Sequence, residues 1–141
     1  VGLASGILAR CEGVQRRAYT GVGGVPTACL GHTVADIASG RAYSGAQCRA
    51  WFATDLGLAA RGVRQCLTVP LRSYQWAAFT STAYNIGVAR FCASSIASHA
   101  NAGDPAAACK AIELYVYAKG QRLNGLVRRR AIERAMCEGR L

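Results

Sequence analysis

The chain has 141 residues, 52% of them apolar, and carries 17 Lys and Arg against 7 Asp and Glu, for a formal net charge of +10. This apolar content excludes an intrinsically disordered chain, and the length fits one domain with its own core. The basic surface predicts a polyanionic partner, which is nucleic acid, anionic lipid or an acidic cell-wall polymer. No run of 18 uncharged apolar residues occurs, so no segment is predicted to span a bilayer.

A helix and a small sheet are the first predicted elements. Apolar residues at helical spacing predict a helix over residues 2–12, which stops at Gly13. Residues 14–35 combine glycines with short apolar pieces, which predicts a small twisted hairpin. Ser44 forms a capping-box pattern with Gln47, and from this point the sequence has the apolar spacing of helices.

Five helices are predicted in the remainder from apolar periodicity and from Ser, Gly and Pro at their ends. They cover residues 45–65, 72–86, about 95–101, 106–116 and 126–138. The last has a predicted apolar stripe of Val127, Ala131, Ile132 and Ala135. The sequence therefore predicts an α+β, mostly helical fold in one domain over residues 1–141, with the β region at about 14–35 packed against a helical body formed by 1–13 and 44–141.

Seven cysteines are spread singly along the chain. None forms a CxxC pair and there are two histidines, so the spacing of a structural zinc site is absent and no metal is expected. The cysteines are either small core residues of a cytosolic protein or disulfide partners in an exported one. Their odd number leaves at least one thiol unpaired in a monomer.

Glu12 is the first candidate for chemistry. It lies where the predicted helix meets the predicted sheet, and no second carboxylate occurs before Asp36. Clefts form at such junctions, and the pKa of a carboxyl group can be raised there for acid catalysis. Taken singly, however, each candidate fits an ordinary structural role better: Glu12 a solvated helix-end glutamate, Thr27 a strand residue and His32 a structural histidine.

The order of short motifs along the chain carries more information than any one of them. The motifs are Glu12-Gly13, Ala18-Tyr19, Gly24-Val25-Pro26-Thr27, Gly31-His32-Thr33, the helix from Gln75 to Gly87, and Asn124 to Arg130 with Glu133. This order resembles the phage lysozymes, or endolysins, of glycoside hydrolase family 24, especially those of lambdoid phages. The resemblance covers nearly the full length.

The resemblance implies a lysozyme-like fold that cleaves the β-1,4 bond between N-acetylmuramic acid and N-acetylglucosamine in peptidoglycan, with no cofactor. Carried over by position, Glu12 resembles the general acid that protonates the glycosidic oxygen. Thr27 resembles the threonine that holds the attacking water. His32 is similar to a structural histidine beneath the cleft, and with Tyr84 and Asn85, which match residues of the saccharide groove, it forms the expected substrate-binding set.

One position departs from the family pattern. Nine residues after the glutamate, where the family carries Asp or in some members Cys, this chain has Gly21. An inverting glycosidase uses two carboxyl groups about 6.5–9.5 Å apart, and glycine has no side chain to offer. Three interpretations stay open: hydrolysis by Glu12 with Thr27 and water, a transglycosylase-like reaction closed by the sugar's own C6 hydroxyl, or an inactive form that still binds peptidoglycan.

A basic helical nucleic-acid-binding domain is the competing class, since Arg128-Arg129-Arg130 on a terminal helix would suit phosphate contacts. The sequence lacks helix-turn-helix spacing, a zinc finger and an aromatic-glycine signature, so no nucleic acid is expected. We expect a monomer that acts on peptidoglycan near an anionic envelope surface. The cysteines favour the host periplasm, reached after release from an N-terminal membrane anchor that is not part of this chain.

Overall fold

The computed structural model describes residues 15–20, 26–29 and 44–141. Over these residues the architecture is mostly helical, with a small antiparallel sheet near the N-terminus, as the sequence predicts. The helix predicted over residues 2–12 lies outside the described part of the chain.

The N-terminal sheet is a two-stranded hairpin. Strand β1 (Gln15–Thr20) pairs antiparallel with β2 (Pro26–Cys29), and Tyr19 lies opposite Thr27. The register shifts in the first part of β1. The predicted hairpin is therefore confirmed, and β2 lies in contact with the first helix of the body.

Six α-helices make up the body within the described residues. They are α1 (Gly45–Cys66), α2 (Ser73–Ile86), α3 (Val88–Cys92), α4 (Ser95–Asn101), α5 (Pro105–Ala111) and α6 (Asn124–Cys137). A 3₁₀ turn (Ile112–Leu114) follows α5, and a second hairpin of β3 (Tyr117–Ala118) and β4 (Gln121–Arg122) precedes α6. No helix in these described segments is long and apolar enough to cross a membrane.

The helix ends follow the capping residues seen in the sequence. Ser44, Ser94 and Asp104 each accept a hydrogen bond from the backbone N–H three residues on, at 3.0, 3.3 and 3.1 Å. Gly87 ends α2 with a φ of 97°, a conformation that favours glycine. These residues set where α1, α4 and α5 begin and where α2 stops.

The core is built around α2, which contacts both α1 and α6. Every residue from Ala77 to Ala83 is buried, so the middle of α2 is covered on all sides. The largest apolar side chains buried around it come from the other helices and the 3₁₀ turn: Leu56, Val63, Phe91, Ile96 and Ile112. The rings of Phe79 and Phe91 pack with their centroids 5.9 Å apart.

The region between α5 and α6 differs from the prediction. The helix expected over 106–116 ends at Ala111, and the β-prone Tyr and Val residues that follow lead into the second hairpin. Lys119 and Gly120 form its turn, both with positive φ. Helix α6 begins at Asn124, two residues before the predicted start of the last helix at residue 126. Neither α3 nor this hairpin was predicted.

The prediction of an apolar stripe on α6 is wrong. Ala131 is exposed, and the other three members of the stripe, Val127, Ile132 and Ala135, are only half-buried. The buried side chains of the helix are those of Arg129, Arg130, Glu133, Met136 and Cys137. The reason is that both arginines pair with the buried Glu133 carboxylate, so charged residues can occupy the inward face.

Disulfides tie the helices together. Cys66 of α1 is bonded to Cys92 of α3, and Cys109 of α5 is bonded to Cys137 of α6. Cys48 is disulfide-bonded as well. For these five cysteines, the disulfide alternative is the correct one, although Cys48, Cys109 and Cys137 are also buried in the core.

Candidate active site

The sequence-predicted site residues fall into two groups. Glu12, Gly21 and His32 lie outside the described residues, and their roles stay predictions. Thr27 lies on β2, which contacts α1, and the neighbouring pair Tyr84-Asn85 lies in the last turn of α2. Because α1 also packs against α2, it connects the strand that carries Thr27 to the helix that carries the predicted saccharide residues.

Tyr84 is held in place by an aromatic contact. Its half-buried ring meets Phe52 of α1 edge to face, with centroids 5.9 Å apart and planes at 86°. This is a favoured geometry for two aromatic rings. Tyr84 also lines a cavity of about 240 Å³ between α1 and α2, together with Asp55, Leu58 and Val88. The ring therefore has a defined orientation beside an open space.

Asn85 is exposed, but its amide is not free to rotate. Its Oδ1 accepts a hydrogen bond from Nη2 of Arg130. An asparagine amide has one acceptor oxygen and one NH₂ group with two donors. With the oxygen engaged by Arg130, the two N–H groups remain available as donors on the exposed side.

Arg130 is almost wholly buried, at 1% exposure, and all of its guanidinium nitrogens are engaged. Nε donates to the carbonyl of Tyr115 at 2.8 Å, and Nη1 donates to Oε1 of Glu133 at 2.6 Å, in addition to the bond from Nη2 to Asn85. Burial lowers the pKa of Arg130, while the adjacent Glu133 carboxylate raises it again. Since an arginine starts from so high a pKa, the group stays charged.

Glu133 is the counter-ion at the centre of this cluster. Its carboxylate is fully buried and is paired with Arg130 and, at 3.4 Å, with Nε of Arg129. The hydroxyl of Ser81 on α2 donates to the same carboxylate, and Arg129 also donates to the Ser81 carbonyl at 3.5 Å. Buried charges persist only when paired and hydrogen-bonded, and this cluster meets both conditions. It fixes α6 against α2, and through Arg130 it also contacts Asn85.

A groove of about 390 Å³ lies beside Asn85, between the end of α2, α3 and the second hairpin. Arg90 of α3, Lys119 of the hairpin turn and the rings of Tyr115 and Tyr117 are among the residues that line it. Among the described residues, no group of His, Cys, Asp or Glu is arranged to hold a metal ion. The groove presents cations, aromatic rings and amide donors, which suits binding of a polar polymer.

Sequence reasoning named Tyr84 and Asn85 as candidates but missed the residues that contact them. Arg130 and Glu133 were noted as part of a motif, and their spacing of three residues would allow an ion pair on one helix face. Ser81 gives no such signal, because it reaches Glu133 across 52 residues of sequence. Arg90 and Lys119 belong to elements that were not predicted.

Comparisons with known proteins agree with this arrangement. Residues 9–133 match the family model described as phage lysozyme. The chain is 36% identical over 126 residues to the SAR-endolysin of bacteriophage PS119, in an alignment that covers 89% of this chain and 75% of that protein.

Two solved structures share the fold. The muramidase domain of SpmX from Asticaccaulis excentricus superposes with a TM-score of 0.88 at 25% identity, over 97% of this chain and 95% of that one. A mutant of P22 lysozyme superposes with a TM-score of 0.82 at 28% identity, over 98% and 97% of the two chains. The predicted lysozyme-like fold class is confirmed.

Proposed function

The chain belongs to the phage lysozyme family, and from this premise we propose that it is an endolysin that hydrolyses the β-1,4 bonds between N-acetylmuramic acid and N-acetylglucosamine in bacterial peptidoglycan, which lyses the host cell. As a member of this family, the chain is a lysozyme-type glycosidase. One observation carries the proposal: the family match spans residues 9–133 and so includes every predicted site residue. We take residues 1–141 to form one lysozyme-like domain.

Glu12 is the general acid in this proposal, and it protonates the glycosidic oxygen as the bond breaks. Thr27 holds the attacking water, and His32 supports the cleft from below. The position of Thr27 on a strand that contacts α1 supports this assignment, because the same helix contacts Tyr84 through Phe52. A positioned acid of this kind contributes about 10²–10⁴-fold to a reaction rate.

Tyr84 and Asn85 bind the saccharide. The N–H groups of Asn85 donate to sugar hydroxyl or acetamido oxygens, and the hydrogen bond from Arg130 keeps the amide from turning its oxygen outward. The ring of Tyr84 is fixed by Phe52. Preorganised donors and rings reduce the entropy that is lost when a flexible polymer is ordered on binding.

Because Gly21 has no side chain, Thr27 and solvent must activate the attacking water. The products separate hydrolysis from the transglycosylase-like alternative: mass analysis of released muropeptides will show reducing ends for hydrolysis and 1,6-anhydro ends for transglycosylation. We expect reducing ends. We also expect Gly21→Asp to raise the lytic rate, because it restores a second carboxyl group.

The experiment that tests the function is lysis of permeabilised Gram-negative cells, followed by turbidity. We expect Glu12→Gln to lower the lytic rate at least about 100-fold, because the amide cannot donate the catalytic proton. Glu113→Gln is the matched control, since it removes an exposed carboxylate that pairs with Arg134 and leaves the groove unchanged. Undiminished lysis by the Glu12 variant would contradict the assignment.

The structure gives no support to nucleic-acid binding through the basic run on α6. Two of its three arginines, Arg129 and Arg130, are buried and paired with Glu133, so only Arg128 faces solvent. We propose that the partner is peptidoglycan, close to an anionic envelope surface, and that the chain acts as a monomer in the host periplasm. The disulfides support an oxidising compartment of this kind. A gel shift on duplex DNA, run beside the turbidity assay, checks this choice, and we expect lysis without DNA binding.

A further inference from the structure

We propose that one end of the helical body docks on the surface of an anionic lipid bilayer. The docking face consists of Arg61 and Arg64 of α1, Arg72 and Trp76 at the start of α2, and the loop of residues 67–72 that joins the two helices. The inference rests on the proposed function for the place in which the chain works, beside an anionic envelope surface. It goes beyond that function, because it assigns the contact to particular residues outside the proposed active site.

The charge of the docking face is the first argument. Arg61, Arg64 and Arg72 are exposed, and none of them forms an ion pair within the described part of the chain. The sequence has no acidic residue between Asp55 and Asp104, so the second half of α1, the loop and all of α2 carry no carboxylate. Uncompensated cations on one surface produce a positive potential that attracts polyanions.

The cations of the docking face surround an aromatic ring. The guanidinium carbon of Arg64 lies 4.7 Å from the centre of the Trp76 ring, a cation–π contact. Arg61 lies one turn before Arg64 on α1, and Arg72 lies one turn before Trp76 on α2, so both are neighbours of this pair. Tryptophan is enriched at the level of lipid headgroups, and arginine bonds phosphate oxygens. The cluster therefore has side chains suited to a bilayer interface.

The loop between α1 and α2 adds apolar surface. Its run of three apolar residues, 69–71, is only partly buried, whereas connecting loops are normally polar. The side chain of Asn101 on α4 fixes the start of the loop: its oxygen accepts from the backbone N–H of Thr68 and its nitrogen donates to the carbonyl of Cys66, both at 2.9 Å. These backbone groups need no water, so they add no cost when the loop enters the headgroup region.

The docking face and the proposed saccharide site lie at opposite ends of one helix. Trp76 lies near the beginning of α2, and Tyr84 and Asn85 lie in its last turn. At 1.5 Å per residue, Arg72 and Asn85 are about 20 Å apart along the helix axis. A bilayer bound at one end therefore leaves the other end open to peptidoglycan.

A bilayer fits this face better than a nucleic acid does. Phosphate contacts of a nucleic acid need cations alone, and they would leave the apolar residues 69–71 without a partner. Interfacial segments combine basic side chains with apolar and tryptophan side chains, as the docking face does. Binding to duplex DNA is therefore made an outcome of the test.

The test measures partition of the full chain onto lipid vesicles by co-sedimentation. One set of vesicles contains phosphatidylglycerol and phosphatidylethanolamine, and the other contains phosphatidylcholine alone. We expect the anionic vesicles to bind the chain at least about tenfold more tightly, because each basic residue near an anionic surface strengthens binding about fivefold. We also expect this preference to fall in 1 M NaCl, where the Debye length is about 3 Å.

A triple variant tests whether the docking face carries this binding. Arg61→Gln combined with Arg64→Gln and Arg72→Gln should lower the affinity for anionic vesicles at least about tenfold. The matched control removes the same charge from exposed positions elsewhere in the described chain: Lys110→Gln, Arg122→Gln and Arg128→Gln. We expect the control to change the affinity much less.

The fluorescence of Trp76 gives a second readout, which reports its depth in the bilayer. The chain has two tryptophans, so Trp51→Phe leaves Trp76 as the only one. We expect lipids brominated close to their headgroups to quench this fluorescence in anionic vesicles. Co-sedimentation of the unsubstituted chain does not depend on this background.

Three results would each overturn the inference: equal binding to neutral and anionic vesicles, equal losses in the triple variant and its control, and no quenching of Trp76. Binding to duplex DNA that the triple variant loses, without binding to vesicles, would instead assign the face to nucleic acid.

Degradation of purified peptidoglycan without lipid separates this inference from the proposed function. We expect the wild type and the triple variant to degrade it at the same rate. A slower triple variant would show that these arginines bind the wall, which overturns the inference. A wild type that binds anionic vesicles but does not degrade peptidoglycan would overturn the proposed function and leave the docking face standing.

Discussion

The last helix and the residue that caps it carry two ion pairs of the same residue types and spacing, one buried and one on the surface. In the middle of α6, Arg129 and Glu133 form an i,i+4 pair with 5% and 0% exposure. Five residues further on, Arg134 and Glu138 form another i,i+4 pair, with 26% and 27% exposure. The sequence pattern is identical, but one pair faces α2 and the other faces solvent.

The difference shows that burial, rather than pairing, sets what an ion pair contributes. Exposed pairs are weak, because water and salt screen them and each side chain loses freedom. In the interior, charged groups that lose their water must find partners, and removal of one partner leaves an uncompensated charge. The side chains of the buried cluster must therefore keep fixed positions, whereas those of the exposed pair need not. This fixed geometry can hold Asn85 in place.

Loss of the central carboxylate gives the largest expected effect. Glu133→Gln leaves Arg129 and Arg130 buried without a counter-ion, and we expect the free energy of unfolding to fall by about 3–5 kcal/mol. Urea denaturation measures this value. Glu113→Gln, which removes an exposed partner of Arg134, is expected to have only a small effect. Equal losses of unfolding free energy in the two variants would contradict the difference between buried and exposed ion pairs.

Replacement of the Arg130 guanidinium by an ammonium group tests whether its hydrogen-bond geometry matters in addition to its charge. Arg130→Lys keeps a cation beside Glu133 but cannot bond Tyr115, Glu133 and Asn85 together. We expect unfolding to become easier by about 1–3 kcal/mol and the KM for peptidoglycan to rise more than kcat falls, because the Asn85 amide is released. Arg128→Lys, at an exposed neighbouring position, is the control and should change neither quantity. An unchanged KM would show that Arg130 has no positioning role.

Removal of an exposed cation should have a smaller effect. Arg134→Ala deletes the pairs with Glu113 and Glu138, both on the surface. We expect a slight loss of stability at low salt that disappears in 1 M NaCl, since the Debye length is then about 3 Å. Thermal unfolding at two salt concentrations measures it. A loss of stability that persisted at high salt would show that the Arg134 pairs behave like the buried Arg129–Glu133 pair.

The pH dependence of the exposed cluster should be the smallest effect. Hydrogen bonds from Arg140 and Arg134 hold the pKa of the Glu138 carboxyl below its ordinary value. A lowered pKa stabilises the folded state above the unfolded pKa, and this contribution is lost as pH falls through the folded pKa. Glu138→Gln should therefore melt slightly below the wild type at neutral pH, and the two melting curves should converge in acid. A gap that widened as pH fell would contradict the sign.

Much of the helical body follows from local sequence signals. Ser44, Ser94 and Gly87 mark helix ends because capping depends on residues only a few positions apart. The stripe on α6 could not be found in this way, because amphipathic patterns assume that arginine faces water. The partners that permit its burial, Ser81 and Asn85, lie 52 and 45 residues away in sequence from the groups they bind.

The candidate site could likewise be predicted only in part. Tyr84 and Asn85 were placed by a motif, whereas the groove beside them needs a hairpin of two-residue strands and a five-residue helix. Elements this short carry too few residues for a periodic signal. The roles of all six candidate residues stay predictions: Glu12, Gly21, Thr27, His32, Tyr84 and Asn85.

Two of the disulfides also bear on how the chain matures. Cys66 and Cys92 are consecutive cysteines 26 residues apart, and Cys109 and Cys137 are consecutive cysteines 28 residues apart. The two closed loops do not overlap along the chain. Each loop can therefore close without the cysteines of the other. Neither bond then needs the other to be reduced or reshuffled.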